Sequence, residues 1–182
     1  MIDPDIILFA RVSICLLFAH AVWNKLQSFP HFRATLAEYQ LLPTGLVTPA
    51  AAMVIACECA IVLLLCVNAT EFLGFSLAAG LLAVYLSAIW LNLLRGRRDI
   101  DCGCTGPGHT QALTYWLLLR NLILVLIAVF GLLPATGRVI GWGDALLVLV
   151  AVLLATVLYA TANQLLSNEP RLDALDGYMD GH

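Results

Sequence analysis

The sequence has few charged residues and little excess of either sign. Only 12% of its 182 residues are charged, 62% are hydrophobic, and the formal net charge is −3. An average soluble domain is about a quarter charged, and it could not hide this much apolar surface, whereas a bilayer is itself an apolar solvent. The nine lysine and arginine residues form no large basic surface, so nucleic acid is not an expected partner.

The sequence is expected to have neither a disulfide scaffold nor a cleavable leader. Six cysteines are too few for a scaffold in a chain of this length. Buried cysteines usually act as small hydrophobes, so Cys15, Cys57, Cys59 and Cys66, which lie in apolar runs, are expected to be packing residues. The N-terminus has no basic region of the signal-peptide kind, and the first apolar run is expected to remain as a membrane anchor.

Five apolar segments approach the roughly 20 residues that a helix needs to cross a bilayer. They cover about residues 5–26, 47–67, 72–94, 113–133 and 144–166. Between the first two, aromatic and apolar residues recur at helical spacing and predict a short interfacial helix ended by Pro43. The sequence therefore predicts an all-α membrane protein, a bundle of about five transmembrane helices with one short interfacial helix. Residues 1–167 are expected to form a single polytopic membrane domain and residues 168–182 an acidic mobile tail.

Basic residues in short loops predict the orientation of the bundle. With the N-terminus outside, Arg138 alone lies on the outer side, and the cytoplasmic side receives Lys25, Arg33, Arg95, Arg97, Arg98 and Arg171. This orientation also places Cys102 and Cys104 at the cytoplasmic end.

The largest polar stretch, residues 95–112, contains Cys102-Gly103-Cys104. Residues i and i+2 of an extended chain have Cα atoms about 6–7 Å apart, at the wide edge of disulfide geometry. The resulting small ring should be strained, and strained disulfides are good oxidants. The spacing favours a redox-active, catalytic pair. Two other interpretations stay open: a metal site with His109 as a third ligand, although a closed zinc site usually has four, and a loop whose cysteines have no chemical role.

Three charged residues, Arg11, Glu58 and Arg120, lie within the apolar spans. Charges at this depth are costly and normally face the bundle interior or water. At about 1.5 Å per residue, Glu58 lies near the middle of its span and both arginines lie within a turn or two of that depth. These positions predict an ion pair of Glu58 with Arg120 or Arg11. The pair is either purely structural or part of a polar pocket for a ligand such as a quinone, or of a proton path.

Several motifs occur in an order that resembles a known family. Arg11 leads into LFAHAVWNKL at residues 17–26, and YQLLP at residues 39–43 precedes the apolar segment with Glu58. This order resembles the DoxX-like membrane protein superfamily. With the Cys-Gly-Cys motif after the third span, the chain is similar to the MauE family of methylamine utilisation proteins over roughly residues 5–133. The resemblance implies a DoxX-like four-helix core plus a fifth helix.

The resemblance also implies a role. Proteins of this family are associated with maturation of the methylamine dehydrogenase small subunit, a periplasmic, disulfide-rich client with a quinone built from its own tryptophans. The implied location is the bacterial inner membrane, and the implied partner is a thioredoxin-like protein, MauD. Cys102 and Cys104 would exchange electrons with it, one thiolate attacking and the other resolving the mixed disulfide. A periplasmic client requires this cysteine pair on the outer side of the membrane, whereas the basic residues predict that it lies on the cytoplasmic side.

Three functions follow as hypotheses. The first is a thiol–disulfide oxidoreductase acting through Cys102 and Cys104, and the second is a non-catalytic assembly or anchoring factor for the thioredoxin-like partner. The third is a small-molecule transporter using the pocket at Glu58 and Arg120. Many transporters are built from repeated halves, and the absence of a visible repeat makes this third function the least favoured.

Overall fold

The computed structural model describes residues 3–96, 115–134 and 141–179, with side-chain surroundings for most of them up to residue 161. The elements are α1 (Pro4–Gln27), α2 (Phe29–Glu38), α3 (Thr44–Cys66), a 3₁₀ turn (Asn68–Thr70), α4 (Glu71–Leu94), α5 (Tyr115–Phe130) and α6 (Trp142–Met179). Throughout these described ranges every regular element is helical, which confirms the predicted all-α class.

Among the described residues, four segments are long and apolar enough to cross a bilayer: Pro4–Gln27, Thr44–Cys66, Asn68–Leu94 and Trp142–Thr161. The fifth predicted span contains α5, an apolar helix with 16 described residues. The structure therefore agrees with a helical membrane bundle.

The residues Met1–Arg138 form one compact unit. Its core lies where α1, α3, α4 and α5 meet, and its most deeply buried side chains include Phe18, Ile61 and Phe75. Close contacts hold α4 against its neighbours. A Cβ on Gly131 would lie 2.4 Å from the Phe75 ring, and a Cβ on Gly74 would lie 2.8 Å from the Leu65 side chain. Glycine at these two positions is what lets the helices approach this closely.

The short helix α2 lies at the end of this unit where α1 ends and α3 begins. Phe32 packs with Ala51 and Ile55 of α3, and Tyr39, just after α2, packs with Ile89 and Leu93 near the end of α4. The predicted short helix is therefore present, and it covers that end of the helix bundle. Its location in the membrane interface stays a prediction.

The residues Val139–His182 form a second unit. Its helix α6 runs without a break to Met179, and near its start the Asp144 carboxylate accepts a hydrogen bond from the Gly141 N–H at 2.9 Å. The backbone of residues 168–179, predicted as an acidic tail, is helical. The mobility of that tail and a single domain over residues 1–167 stay predictions.

Candidate functional site

The predicted redox pair, Cys102 and Cys104, lies outside the described residues, as does His109. Its place in the topology is nevertheless clear. The segment that contains it follows Gly96, at the end of α4, and leads into Tyr115, at the start of α5. It therefore connects to the same end of the bundle that α2 covers.

A buried cluster of polar side chains lies beneath that end. Lys25 Nζ donates to Glu58 Oε1 and, at 3.1 Å, to the Tyr85 hydroxyl, while the Tyr85 hydroxyl donates to the same Glu58 oxygen at 2.7 Å. The Phe32 ring lies 4.7 Å from Lys25 Nζ, close enough for a cation–π contact. Lys25 is 3% exposed and Glu58 is 0% exposed. We call Lys25, Glu58 and Tyr85 the buried cluster; with Phe32 it joins four helices.

The direction of helical side chains explains how the buried cluster forms. Side chains lean toward the N-terminus of their own helix. Contacts of Arg11 with Leu65 and of Lys25 with Glu58 show that α1 and α3 run antiparallel, so Lys25 and Glu58 lean toward each other. The flexible lysine side chain therefore reaches from the last turn of α1 into the core instead of toward water.

Arg11 takes part in a second cluster, at the other end of α1. Its Nε donates to the Leu65 carbonyl and its guanidinium also donates to the Asn68 side chain. Glu71, in the first turn of α4, lies 3.6 Å from the same guanidinium. Arg11 thus donates hydrogen bonds at the end of α3 and pairs with a carboxylate at the start of α4. It does not contribute to the cluster around Glu58. We call this group the corner cluster.

Arg120 is buried on α5, and the register of α5 against α4 fixes its depth. The two helices run antiparallel, because Gly131 lies against Phe75 and Leu118 packs with Ile89 and Leu93. Arg120 precedes Gly131 by eleven residues on α5, and Leu86 follows Phe75 by eleven residues on α4. With equal rise per residue, Arg120 lies level with the turn that carries Tyr85. A polar pocket shared by Glu58 and Arg120 stays a prediction.

Sequence reasoning missed two members of the buried cluster. The sequence places Lys25 on the cytoplasmic side of the membrane, and the structure shows it buried and paired with Glu58. Tyr85 lies in a predicted span with no formal charge. The available signal was the last-turn position of Lys25, from which a leaning side chain can reach inward. Without Lys25, the count of basic residues still favours an outside N-terminus, by five to one.

Comparison with known proteins extends the sequence resemblance. Residues 4–134 match the family model described as Methylamine utilisation protein MauE. The protein of that name from Paracoccus denitrificans is 34% identical over 137 residues, 75% of this chain and 72% of the relative. That from Methylophilus methylotrophus is 31% identical over 163 residues, 88% of this chain and 86% of the relative. No solved structure gives a significant match.

Proposed function

This chain belongs to the MauE family of methylamine utilisation proteins, and on that premise we propose that it supports maturation of the methylamine dehydrogenase small subunit. It acts as a multi-pass protein of the bacterial inner membrane. Its chemistry is thiol–disulfide exchange between Cys102 and Cys104 and a thioredoxin-like partner, which in turn handles the disulfides of the client.

The observation that carries the proposal is the position of the Cys-Gly-Cys motif. The motif lies within the family match, in the segment between two membrane helices. Cys15, Cys57, Cys59 and Cys66 lie within helices, whereas Cys102 and Cys104 fall in the sequence between α4 and α5. A glycine between two thiols permits the backbone angles that a short disulfide ring needs.

The exchange step balances between the two proteins. A thiolate of the partner attacks the Cys102–Cys104 disulfide, which releases one cysteine of this chain and forms a mixed disulfide. The second partner thiol then attacks the mixed disulfide and releases the other cysteine. The partner loses two electrons and two protons and becomes a disulfide, while Cys102 and Cys104 become thiols. Ring strain favours this direction, because a strained disulfide is a good oxidant.

The buried cluster supports the proposal by holding the end of the bundle to which this segment connects. Lys25, Glu58 and Tyr85 join α1, α3 and α4, and the Lys25–Phe32 contact adds α2. The charges of Lys25 and Glu58 neutralise each other in the core, as buried charges require. In this proposal Glu58 is therefore a structural residue.

The proposal is tested by Cys102→Ser and Cys104→Ser in a host that produces methylamine dehydrogenase. Each single variant should abolish accumulation of the mature small subunit, and each should allow trapping of a mixed disulfide with the thioredoxin-like partner. Cys57→Ser and Cys59→Ser are matched controls, because both cysteines lie within α3 and are only partly exposed. Normal maturation in both Cys102 and Cys104 variants would overturn the proposal and leave a non-catalytic anchoring role.

A further inference from the structure

Two polar side chains lie together on the outer face of α1. The His20 ring and the Asn24 amide are four residues apart and share a hydrogen bond of 3.1 Å. His20 is exposed. It lies about 200° around the helix from Phe18, which belongs to the core and is 1% exposed. The His20–Asn24 pair therefore lies on the side of α1 that faces away from the core.

The depth of His20 makes this an unfavourable place for a polar side chain. Helix α1 has 24 residues, a length of about 36 Å, whereas the hydrocarbon layer is about 30 Å thick. His20 precedes Gln27, the last residue of α1, by seven residues, or about 10 Å. In a span centred on the bilayer, His20 thus lies inside the hydrocarbon layer, where a polar group without a hydrogen bond is costly.

Other outward polar side chains of the spans bond within their own helix. Ser87 on α4 and Thr161 on α6 are exposed, and each donates to a carbonyl of its own helix at 2.8 Å. The bond between His20 and Asn24 uses only part of their capacity. With His20 Nε2 accepting from the Asn24 amide, the ring proton lies on Nδ1. Within the described part of the chain, neither this Nδ1–H nor Asn24 Oδ1 has a further partner.

We propose that this face of α1 forms the contact between two copies of the chain in the membrane. The α1 face, as we call it, consists of Leu16, Ala19, His20, Trp23 and Asn24. A twofold contact brings the same face of both copies together. The Nδ1–H of each His20 then donates to the Asn24 Oδ1 of the other copy, and the polar atoms left open in one chain are paired in the dimer.

Three features favour a second copy over an unrelated helix as the occupant. Both copies insert in the same orientation, so identical polar pairs meet at the same depth. The pair offers both a donor and an acceptor, which makes it complementary to itself. Ala19 is a small exposed residue between Leu16 and Trp23, which are 51% and 62% exposed. Small residues let helices approach closely in membranes.

The first test measures dimerisation of the full chain, fused to a fluorescent protein and reconstituted in phosphatidylcholine vesicles. Single-molecule photobleaching over a series of protein-to-lipid ratios gives the dimer dissociation constant. His20→Leu removes both symmetry-related hydrogen bonds and should raise this constant roughly five- to tenfold, because such bonds are of modest strength in membranes. Asn24→Leu should do the same. Both variants should keep the circular dichroism spectrum of the unmodified chain, since the α1 face lies outside the core.

Ser87→Ala is the matched control for these two variants. Ser87 is also an exposed polar residue in a span, but its hydroxyl bonds to the Ala83 carbonyl of its own helix. Its removal should therefore leave the dissociation constant unchanged.

The second test identifies the occupant by photo-crosslinking in the native membrane. Trp23 lies on the α1 face, and Trp90, on α4, is 46% exposed and lies outside that face. p-Benzoylphenylalanine in place of Trp23 should crosslink the chain to a differently tagged second copy. The same group in place of Trp90 should give no such product.

Three results would overturn the proposal. The first is a monomer at every protein-to-lipid ratio, and the second is a dimer whose dissociation constant is unchanged by both His20→Leu and Asn24→Leu. The third is crosslinking from position 23 only to lipid or to other proteins. None of these results bears on the thiol exchange proposed above, because Cys102 and Cys104 are intact in every variant.

Discussion

Two basic residues of α1 each pair with a carboxylate on another helix, in contrasting surroundings. Lys25 and Glu58 are 3% and 0% exposed, whereas Arg11 and Glu71 are 13% and 42% exposed. Removing one partner of a buried pair leaves an uncompensated charge and costs about 3–5 kcal/mol, but exposed pairs contribute about 0–1 kcal/mol. The Lys25–Glu58 pair is therefore expected to contribute much more to the stability of the fold than the Arg11–Glu71 pair.

The largest expected effect comes from Lys25→Met, which keeps the apolar stem and removes the charge. Glu58 then loses its cation in the core, and the free energy of unfolding should fall by about 3–5 kcal/mol. Titration of the detergent-solubilised protein with dodecyl sulfate, followed by circular dichroism, measures this. Arg33→Met is a matched control, since Arg33 is an exposed base on α2 and its loss should leave stability nearly unchanged.

The double variant Lys25→Met/Glu58→Leu sharpens the same result. Replacing a whole buried ion pair with apolar residues is often neutral, so most of the lost stability should return. A double variant as unstable as the sum of its two single variants would contradict a paired role for these charges.

A smaller effect is expected for Tyr85→Phe, which removes one hydroxyl from the buried cluster. Hydrogen bonds to charged groups contribute about 1.5–3 kcal/mol, and the Tyr85 hydroxyl donates to Glu58. The same unfolding titration should show a loss in that range. In a Glu58→Leu background, Tyr85→Phe should lower the free energy of unfolding much less. An equal loss in that background would show that Tyr85 acts independently of Glu58.

Glu71→Gln should have a smaller effect still, at most about 1 kcal/mol. Arg11 keeps the Leu65 carbonyl and the Asn68 side chain as acceptors when Glu71 loses its charge. A loss in the unfolding titration as large as that of Lys25→Met would show that the corner cluster is as important to the fold as the buried one.

Salt gives the smallest effect and separates the clusters without further substitutions. Raising the salt concentration from about 0.1 M to about 1 M shortens the Debye length from about 10 Å to about 3 Å. The stability lost in Glu71→Gln should then vanish. The stability lost in Lys25→Met should persist, because buried pairs are screened much less. Thermal unfolding followed at both salt concentrations checks this, and equal salt sensitivity would contradict the contrast.

Hydropathy predicted the helices because each span must present apolar side chains along its whole length. It also singled out Glu58, since a carboxylate in the middle of an apolar span needs a partner. It could not choose that partner, because Arg11, Lys25 and Arg120 compete for it. The choice depends on helix rotation and on the inward lean of the Lys25 side chain, neither of which follows from depth alone.

The helical backbone of residues 168–179 was not predicted. Four of those twelve residues are charged, and they contain no long apolar run, so they lack the hydropathy signal that revealed the spans.

The buried Lys25–Glu58 pair bears on how the chain is inserted during synthesis. Lys25 leaves the ribosome 33 residues before Glu58. Until α3 is inserted, its long side chain can extend from the last turn of α1 to the lipid headgroups. Glu58, in the interior of α3, has no such outlet, and its carboxylate would be costly in lipid. An α1 already in place offers the cation that α3 needs, and so the first helix acts as an insertion partner for the third.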